Sequence, residues 1–352
     1  MTLPADPVIS PGAASHPAPP SSEEIAEAGE VLRTVTDSFR ARVAGQDRLR
    51  TALIVALLAE GHVLLESVPG LAKTLAATTL AGSVAADFSR IQCTPDLLPS
   101  DIIGTQVYDP RHHEFETQLG PVHANIVLLD EINRASAKTQ SAMLEAMQER
   151  QTSIAGVVHP LPQPFMVLAT QNPIEEEGTY VLPHAQMDRF LLKEIVTYPR
   201  PEDELLVLDR FQDGTLGGTD RSRDPAPVIT SDQVRRLQAL TRRVYVDPAI
   251  KRYIVTLVGA TREARQALGQ GPAHRLGEYV EVGASPRASI AFFQAARALA
   301  VIRGRSWVIP EDIRELRHPV LRHRLHLSFE ALADQVRPET IIDAVFSAIP
   351  SP

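Results

Sequence analysis

The sequence predicts an α/β domain built on a mostly parallel five-stranded sheet, followed by a small all-helical domain. Two observations carry this. First, five short apolar runs, "HVLLE", "DFSRIQC", "NIVLLDE", "FMVLATQN" and "RFLLKEIVT", alternate with helical or loop segments. Runs of this length suit strands buried on both faces, and their alternation with helices suits a parallel sheet. Second, the composition shifts abruptly to Gly, Asp, Pro and Ser in "FQDGTLGGTDRSRDPAPV", residues 211–228. Strand-like runs become scarce beyond it, so this stretch reads as a linker between two domains.

The elements follow in order. Residues 1–23 are rich in Pro, Ala and Ser and read as a disordered tail. They lack a basic segment leading into an apolar one, so no signal peptide is expected. Residues 24–210 are assigned to the α/β domain. "SSEEIAEAGEVLRTVTDSFRARV" has an N-cap serine, early glutamates and helical spacing of Ile25, Val31, Leu32 and Val35. "GQDRLRTALIVALLAEG" reads as a second helix ending at Gly61. "GTQVYDPRHHEFETQLGPV" and "QTSIAGVVHPLPQP" read as two hairpins inserted into the pattern. Residues 229–352 form the helical domain, with helices in "SDQVRRLQALTRRV", "DPAIKRYIVTLVGATREA", "SPRASIAFFQAARALAVIRG" and "PEDIRELRHPVLRHRL". In the helix from Ser285, Arg287, Gln294 and Arg297 share one face, while Ile290, Phe293, Ala296 and Ala300 line another.

Bulk properties narrow the function. The 352 residues suffice for two domains. A net charge of −8 weighs against a nucleic-acid binder working through a broad basic field, and aromatic residues are sparse at 5%. Cys93 is the only cysteine, so no intrachain disulfide forms. No apolar run reaches the ~18–20 residues that span a bilayer. A soluble, cytoplasmic protein is expected.

Three motifs suggest chemistry. "ESVPGLAKT", residues 66–74, leaves an apolar strand and enters a helix, the context of a phosphate-binding loop. The residues from Ser67 to Thr74 (Ser67, Val68, Pro69, Gly70, Leu71, Ala72, Lys73, Thr74) would wrap a nucleotide phosphate at a helix N-terminus. Lys73 would reach the β- and γ-phosphates and Thr74 would ligate Mg²⁺. It is one of four lysines in a chain that otherwise uses arginine, and a compact ammonium suits this position. In "NIVLLDEINRA", Asp130 and Glu131 end a buried strand, where open α/β sheets bind ligands. Asp130 would hold Mg²⁺ through its water shell, and Glu131 would orient and deprotonate the attacking water. In "FMVLATQNPIEEEG", Asn172 ends a third strand and would hydrogen-bond the γ-phosphate or the water. Each motif alone is weak: a strand-to-helix turn, a pair of acidic helix caps and an Asn-Pro turn would look the same. Together and in this order they argue for a nucleotide site.

The ensemble resembles the AAA+ ATPases, and more narrowly the MoxR family, over roughly residues 25–345. Besides the three motifs, "CTPDLLPSDIIGTQVYD", "PLPQPFMVLATQNPIEEEGTYVLPHAQMDRF", "SPRAS" and "LRHRLHL" carry the resemblance. It implies an αβα sandwich, a helical lid, and a homo-oligomeric ring, expected to be a hexamer, with ATP and Mg²⁺ at subunit interfaces. It implies that Arg189 is an arginine finger reaching a neighbour's γ-phosphate, with Arg134 a weaker second candidate. Arg287 would be the lid's phosphate sensor, closing on the phosphates. The two hairpins would face the ring pore or a partner. A partner with a von Willebrand factor A domain, and an unidentified client whose maturation or metal insertion is driven, are further implications. No membrane or nucleic-acid partner is expected.

Rival readings are a metal site at His112/His113 or at His323/His326, a nucleic-acid motor, and a scaffold that binds ATP with little hydrolysis. The histidines lack zinc-type spacing. Two positions depart from the family: Ser67 replaces a glycine, and His184 replaces a glutamate before the finger. Ala72 fits the family's loop, provided φ is negative at the helix start. Ser67 lies where glycine would ease the turn, and its hydroxyl can bond the loop backbone instead. Ser67→Gly is therefore expected to leave ATP turnover unchanged or modestly raised in a phosphate-release assay; a collapse would reveal a role for the hydroxyl.

Overall fold

A computed structural model describes residues 18–68, 70–172, 180, 182–213, 227–269 and 274–352. Most of the tail and of the 211–228 linker, and Pro69, lie outside them. Helix α1 (Ser22–Arg42) begins two residues earlier than the expected domain start. Ser21 accepts from Glu24 N–H while the Glu24 carboxylate accepts from Ser21 N–H, a reciprocal capping box. Helix α2 (Asp47–Leu58) follows. It ends through Glu60, which takes the left-handed conformation at φ 56°, not through Gly61. Gly61 is needed for a different reason: a Cβ there would lie 2.6 Å from Leu191 Cβ.

All five expected strands form. They are β1 (Val63–Glu66), β2 (Phe88–Gln92), β5 (Ile126–Asp130), β8 (Met166–Gln171) and β9 (Leu192–Ile195), in the order β2-β5-β8-β1-β9. Every pairing is parallel. Helix α3 (Lys73–Ser83) leads from β1 toward β2 at the far edge, and α4 (Pro99–Ile103) and α5 (Ala137–Glu149) cover the opposite face. Two apolar clusters flank the sheet, one shared with α1, α2 and α3, the other with α5. Both expected hairpins are present, β3 (Gly104–Asp109) with β4 (Glu114–Leu119), and β6 (Gln151–Ile154) with β7 (Val157–Pro160). The second turns through Ala155 and Gly156, both at positive φ, as a two-residue hairpin requires.

After α6 (His184–Met187) and β9, helix α7 (Pro201–Gln212) carries the chain into the stretch read as linker, and no residue in it is buried. The lid contains α8 (Ser231–Arg243), α9 (Pro248–Arg262), α10 (Ala264–Ala267), α11 (His274–Glu278), α12 (Pro286–Ile302), α13 (Pro310–Glu315), α14 (Arg317–Leu321), α15 (Phe329–Ala333) and α16 (Pro338–Ala348). It is helical apart from a short antiparallel pair, β10 (Val280–Val282) with β11 (His326–Leu327). His326 thus sits on a strand, directly after the run read as a helix. Helix α12 buries Ala288, Ala291, Phe292, Ala295 and Leu299. Ile290 is exposed, contrary to the expected apolar face. Ile290 stands three residues after Arg287 and four before Gln294, so helical spacing puts it on the polar, exposed face. The apolar cluster under α1, α2 and α3 runs on without a break into α8, α9 and α12.

One buried histidine fastens the sheet. His62 accepts from Val167 N–H at Nδ1 (3.0 Å), so its Nε2–H donates to Met147 O (3.2 Å). Burial first, then Arg150, pulls its pKa down to about 3. The unfolded chain binds this proton near pH 6.5 and the folded chain does not. The stabilisation is therefore complete above that pH and is lost as pH falls toward 3, with a slope of at most about 1.4 kcal/mol per pH unit. Denaturant titrations between pH 7 and pH 5 should show His62→Gln losing part of the wild-type slope; equal slopes would contradict the assignment.

Candidate nucleotide site

The carboxyl ends of β1, β5 and β8 adjoin in the middle of the sheet, and the three sequence motifs lie there. Leaving β1, Ser67 N–H donates to Gln171 O (3.1 Å), extending the β1–β8 pairing by one residue. Ser67 is 2% exposed and its hydroxyl donates to Val68 O at 2.7 Å, the loop bond that the sequence suggested. Val68 and Leu71 pack against the core. Gly70 takes φ +83°, and nothing lies within 4 Å of where a Cβ would project, so the loop leaves open space at its crest. Ala72 is left-handed, at φ 57° and ψ 24°. This corrects the expected negative φ: the position asks for glycine, and the Cβ costs about 1–2 kcal/mol there.

Lys73 opens α3, with its Nζ 3.5 Å from Ser67 O, a long contact that leaves donor capacity for an anion. No side chain caps this helix and no acidic residue lies in its first turn. Its first N–H groups and dipole therefore face the loop unopposed. Thr74, the next residue, is half-buried.

Asp130 ends β5 and is 9% exposed. Arg90 on β2 donates to its Oδ2 through Nε (3.2 Å) and Nη2 (2.6 Å), and Thr170 donates to its Oδ1 (2.8 Å). Glu131 takes a left-handed backbone, φ 59° and ψ 55°, held by a bond from its N–H to Thr170 Oγ1 (2.8 Å). Its Oε2 accepts from Gln92 (3.2 Å) and Arg134 (3.2 Å). Asn172, 5% exposed, directly follows β8. Sequence reasoning missed Arg90, Thr170 and Gln92. No signal within a single strand marks them, since Gln92 comes opposite Asp130 only through the register of β2 and β5.

The donor set suits Mg²⁺, which prefers hydroxyl and carboxylate oxygens and retains several waters. Thr74 supplies a hydroxyl. Both Asp130 oxygens already accept bonds, so their remaining lone pairs favour contact through water over direct ligation.

Arg189 and Arg287 lie elsewhere. Arg189 is three residues before β9, whose first residue, Leu192, registers with Val63 at the amino end of β1. It therefore sits a strand's length from its own phosphate loop, roughly 13 Å for four residues. Its Nη1 donates to Leu144 O (3.2 Å). Arg287, second in α12, has Nη1 4.0 Å from Asp188 Oδ2. Arg287 therefore lies beside Asp188, away from the phosphate loop of its own chain. The two arginines share a cavity of about 340 Å³ with Gly61, Arg150, Asp188 and Arg324.

Among the histidines, His112 contacts Asp109 (2.5 Å), His113 contacts Tyr108 (2.9 Å), and buried His323 bonds Phe190 O (3.2 Å). His184 meets His326 edge-on at 4.3 Å, and burial, then His326, lowers its pKa. Among the described residues no three His, Cys, Asp or Glu side chains group to hold a metal, and no helix is long and apolar enough to cross a membrane.

Comparison with known proteins accords with this geometry. Residues 62–192 match the model of the ATPase family associated with various cellular activities (AAA), and residues 272–345 match the AAA lid domain. Chaperone MoxR1 of Mycobacterium tuberculosis is 48% identical over 96% of this chain and 87% of its own length. Protein MoxR of Methylorubrum extorquens is 32% identical over 88% of this chain and 92% of its own. A crystal structure of a candidate ATPase from Cytophaga hutchinsonii superposes with a TM-score of 0.86 at 39% identity, covering 94% of this chain and 97% of that one. With phosphate loop, acidic strand end and lid all in place, the chain belongs to the MoxR family of AAA+ ATPases.

Proposed function

We propose that this protein hydrolyses ATP with Mg²⁺ and uses the cycle for chaperone-like remodelling of a partner protein. The observation that carries the reading is the convergence of Lys73, Thr74, Asp130, Glu131 and Asn172 on three adjoining strand ends. Lys73 and the α3 N–H groups bind and orient the phosphates. Bound Mg²⁺, held by Thr74 and through water by Asp130, supplies charge neutralisation. Glu131, once freed from Gln92 and Arg134, takes the proton of the attacking water, and Asn172 orients that water or the γ-phosphate.

Arg189 and Arg287 cannot complete this site within their own chain, because they sit at the other end of the sheet. A second copy docking head to tail brings both to the first copy's phosphates, and repetition closes a ring. The family pattern favours six subunits. The chaperone role rests on the name of the Mycobacterium relative, and a von Willebrand factor A partner on the family pattern. A cytoplasmic setting and domain limits near 210 and 229 belong to the same proposal.

Phosphate-release assays test it. Glu131→Gln should lower turnover about 10²-fold or more while still binding ATP. Background turnover already in wild type, with ATP bound, would favour a scaffold instead. Lys73→Ala should abolish ATP binding; unchanged binding would refute the site. Ala72→Gly relieves the left-handed alanine and should preserve ATP binding at an equal or higher melting temperature. Weaker binding would mean that the Cβ contacts the nucleotide.

A further inference from the structure

The segment "LRHRLHL" has so far no role, yet two of its polar residues, His323 and Arg324, are buried along with Leu321 and Leu325. Arg324 is 7% exposed and points at Asp188–Leu191, the stretch that carries Arg189. Its Nε donates to Asp188 Oδ1 (2.8 Å). Nη2 donates to the carbonyl oxygens of Asp188 (3.2 Å) and Phe190 (2.6 Å), and Nη1 to those of Leu191 (3.2 Å) and Val320. An arginine has five N–H donors, and all five are used. Beside it, His323 Nε2 bonds Phe190 O (3.2 Å), and from the start of α12 Ser285 Oγ donates to Asp188 Oδ2 (2.7 Å). The Phe190 side chain is fully buried on the other side. Burial lowers the Arg324 pKa to about 10, so it remains charged at neutral pH.

A buried charge of this kind is costly unless fully bonded, and apolar packing would stabilise a fold as well. What the arginine adds is geometry: a planar fork that fixes three carbonyls of one short stretch, those of Asp188, Phe190 and Leu191, relative to the lid. We propose that Arg324 is a positioning residue for ATP hydrolysis, locking the lid to Asp188–Leu191 so that Arg189 and Arg287 are presented to the neighbouring subunit as one rigid pair. The Asp188 carboxylate is the shared anchor, bonded to Arg324 and Ser285 and 4.0 Å from Arg287. This rests on the reading that Arg189 acts across a subunit interface.

Mixing inactive variants tests it. Arg324→Ala should bind ATP normally at its own loop yet turn over about 10²-fold more slowly, the effect of misplacing a catalytic group by about an ångström. Equimolar Arg324→Ala and Lys73→Ala subunits should then recover activity toward about a quarter of wild type, because one head-to-tail interface in four pairs an intact loop with an intact finger. Arg324→Lys keeps the charge without the fork; it should melt near wild type, show the same loss and the same recovery, and replaces the alanine variant if that one fails to fold. Arg189→Ala mixed with Lys73→Ala is the control. If the control recovers and neither Arg324 variant does, Arg324 serves its own chain's site or stability and the proposal falls. If the control also fails, the interface reading falls and the proposal with it. Full activity of either Arg324 variant alone would equally overturn it.

Discussion

One constraint governs this molecule: all five strands run the same way. A parallel sheet gathers its strand-to-helix loops at one end, and that end receives the phosphate loop, the acidic pair and Asn172. The same constraint sends the entry to β9, with Asp188 and Arg189, to the other end. Arg189 and Arg287 are thus separated from the phosphate loop by the length of the sheet within one chain. The separation does not reflect a loose or open conformation that a small motion could close, because β1 and β9 are hydrogen-bonded neighbours in fixed register.

The site end is organised around strained backbone. Ala72 and Glu131 are both left-handed without being glycine, at the two positions where the chain must turn sharply out of or into a helix. Such strain persists where surroundings over-determine it. For Glu131 the surroundings are visible: Thr170, fully buried on β8, accepts from Glu131 N–H while donating to Asp130. One hydroxyl thereby couples the central strand to both acidic residues. Arg90 balances the charge of Asp130 from the other side, so the carboxylate is tolerated at 9% exposure.

Much of this was legible in the sequence, for physical reasons. The five apolar runs stood out because strands buried on both faces cannot alternate, and each run became a strand of the sheet. A capping serine located α1. Lys73, Asp130, Glu131 and Asn172 could be found because each ends or begins an element, where pattern changes mark the spot. What stayed hidden was relational. Arg90 and Thr170 act through register, which a single strand's sequence does not encode. Ile290 of α12 was misjudged because its apolar side chain outweighed its spacing, which sets it between Arg287 and Gln294 on the exposed face. Ala72 looked compatible with a negative φ because nothing in "GLAKT" reports the sign of a dihedral. The place of Arg287 beside Asp188 was equally hidden, because sequence order says nothing about where a second domain docks.

The unbroken apolar cluster beneath α1, α2 and α3 has a thermodynamic consequence. Leu53 and Leu80 of the nucleotide domain and Phe292 and Leu299 of the lid belong to one buried body. Separating lid from sheet would expose that surface to water, at a cost set by apolar area. The chain should therefore melt as one cooperative unit, with the lid behaving as a fixed limb of the subunit rather than as a flap.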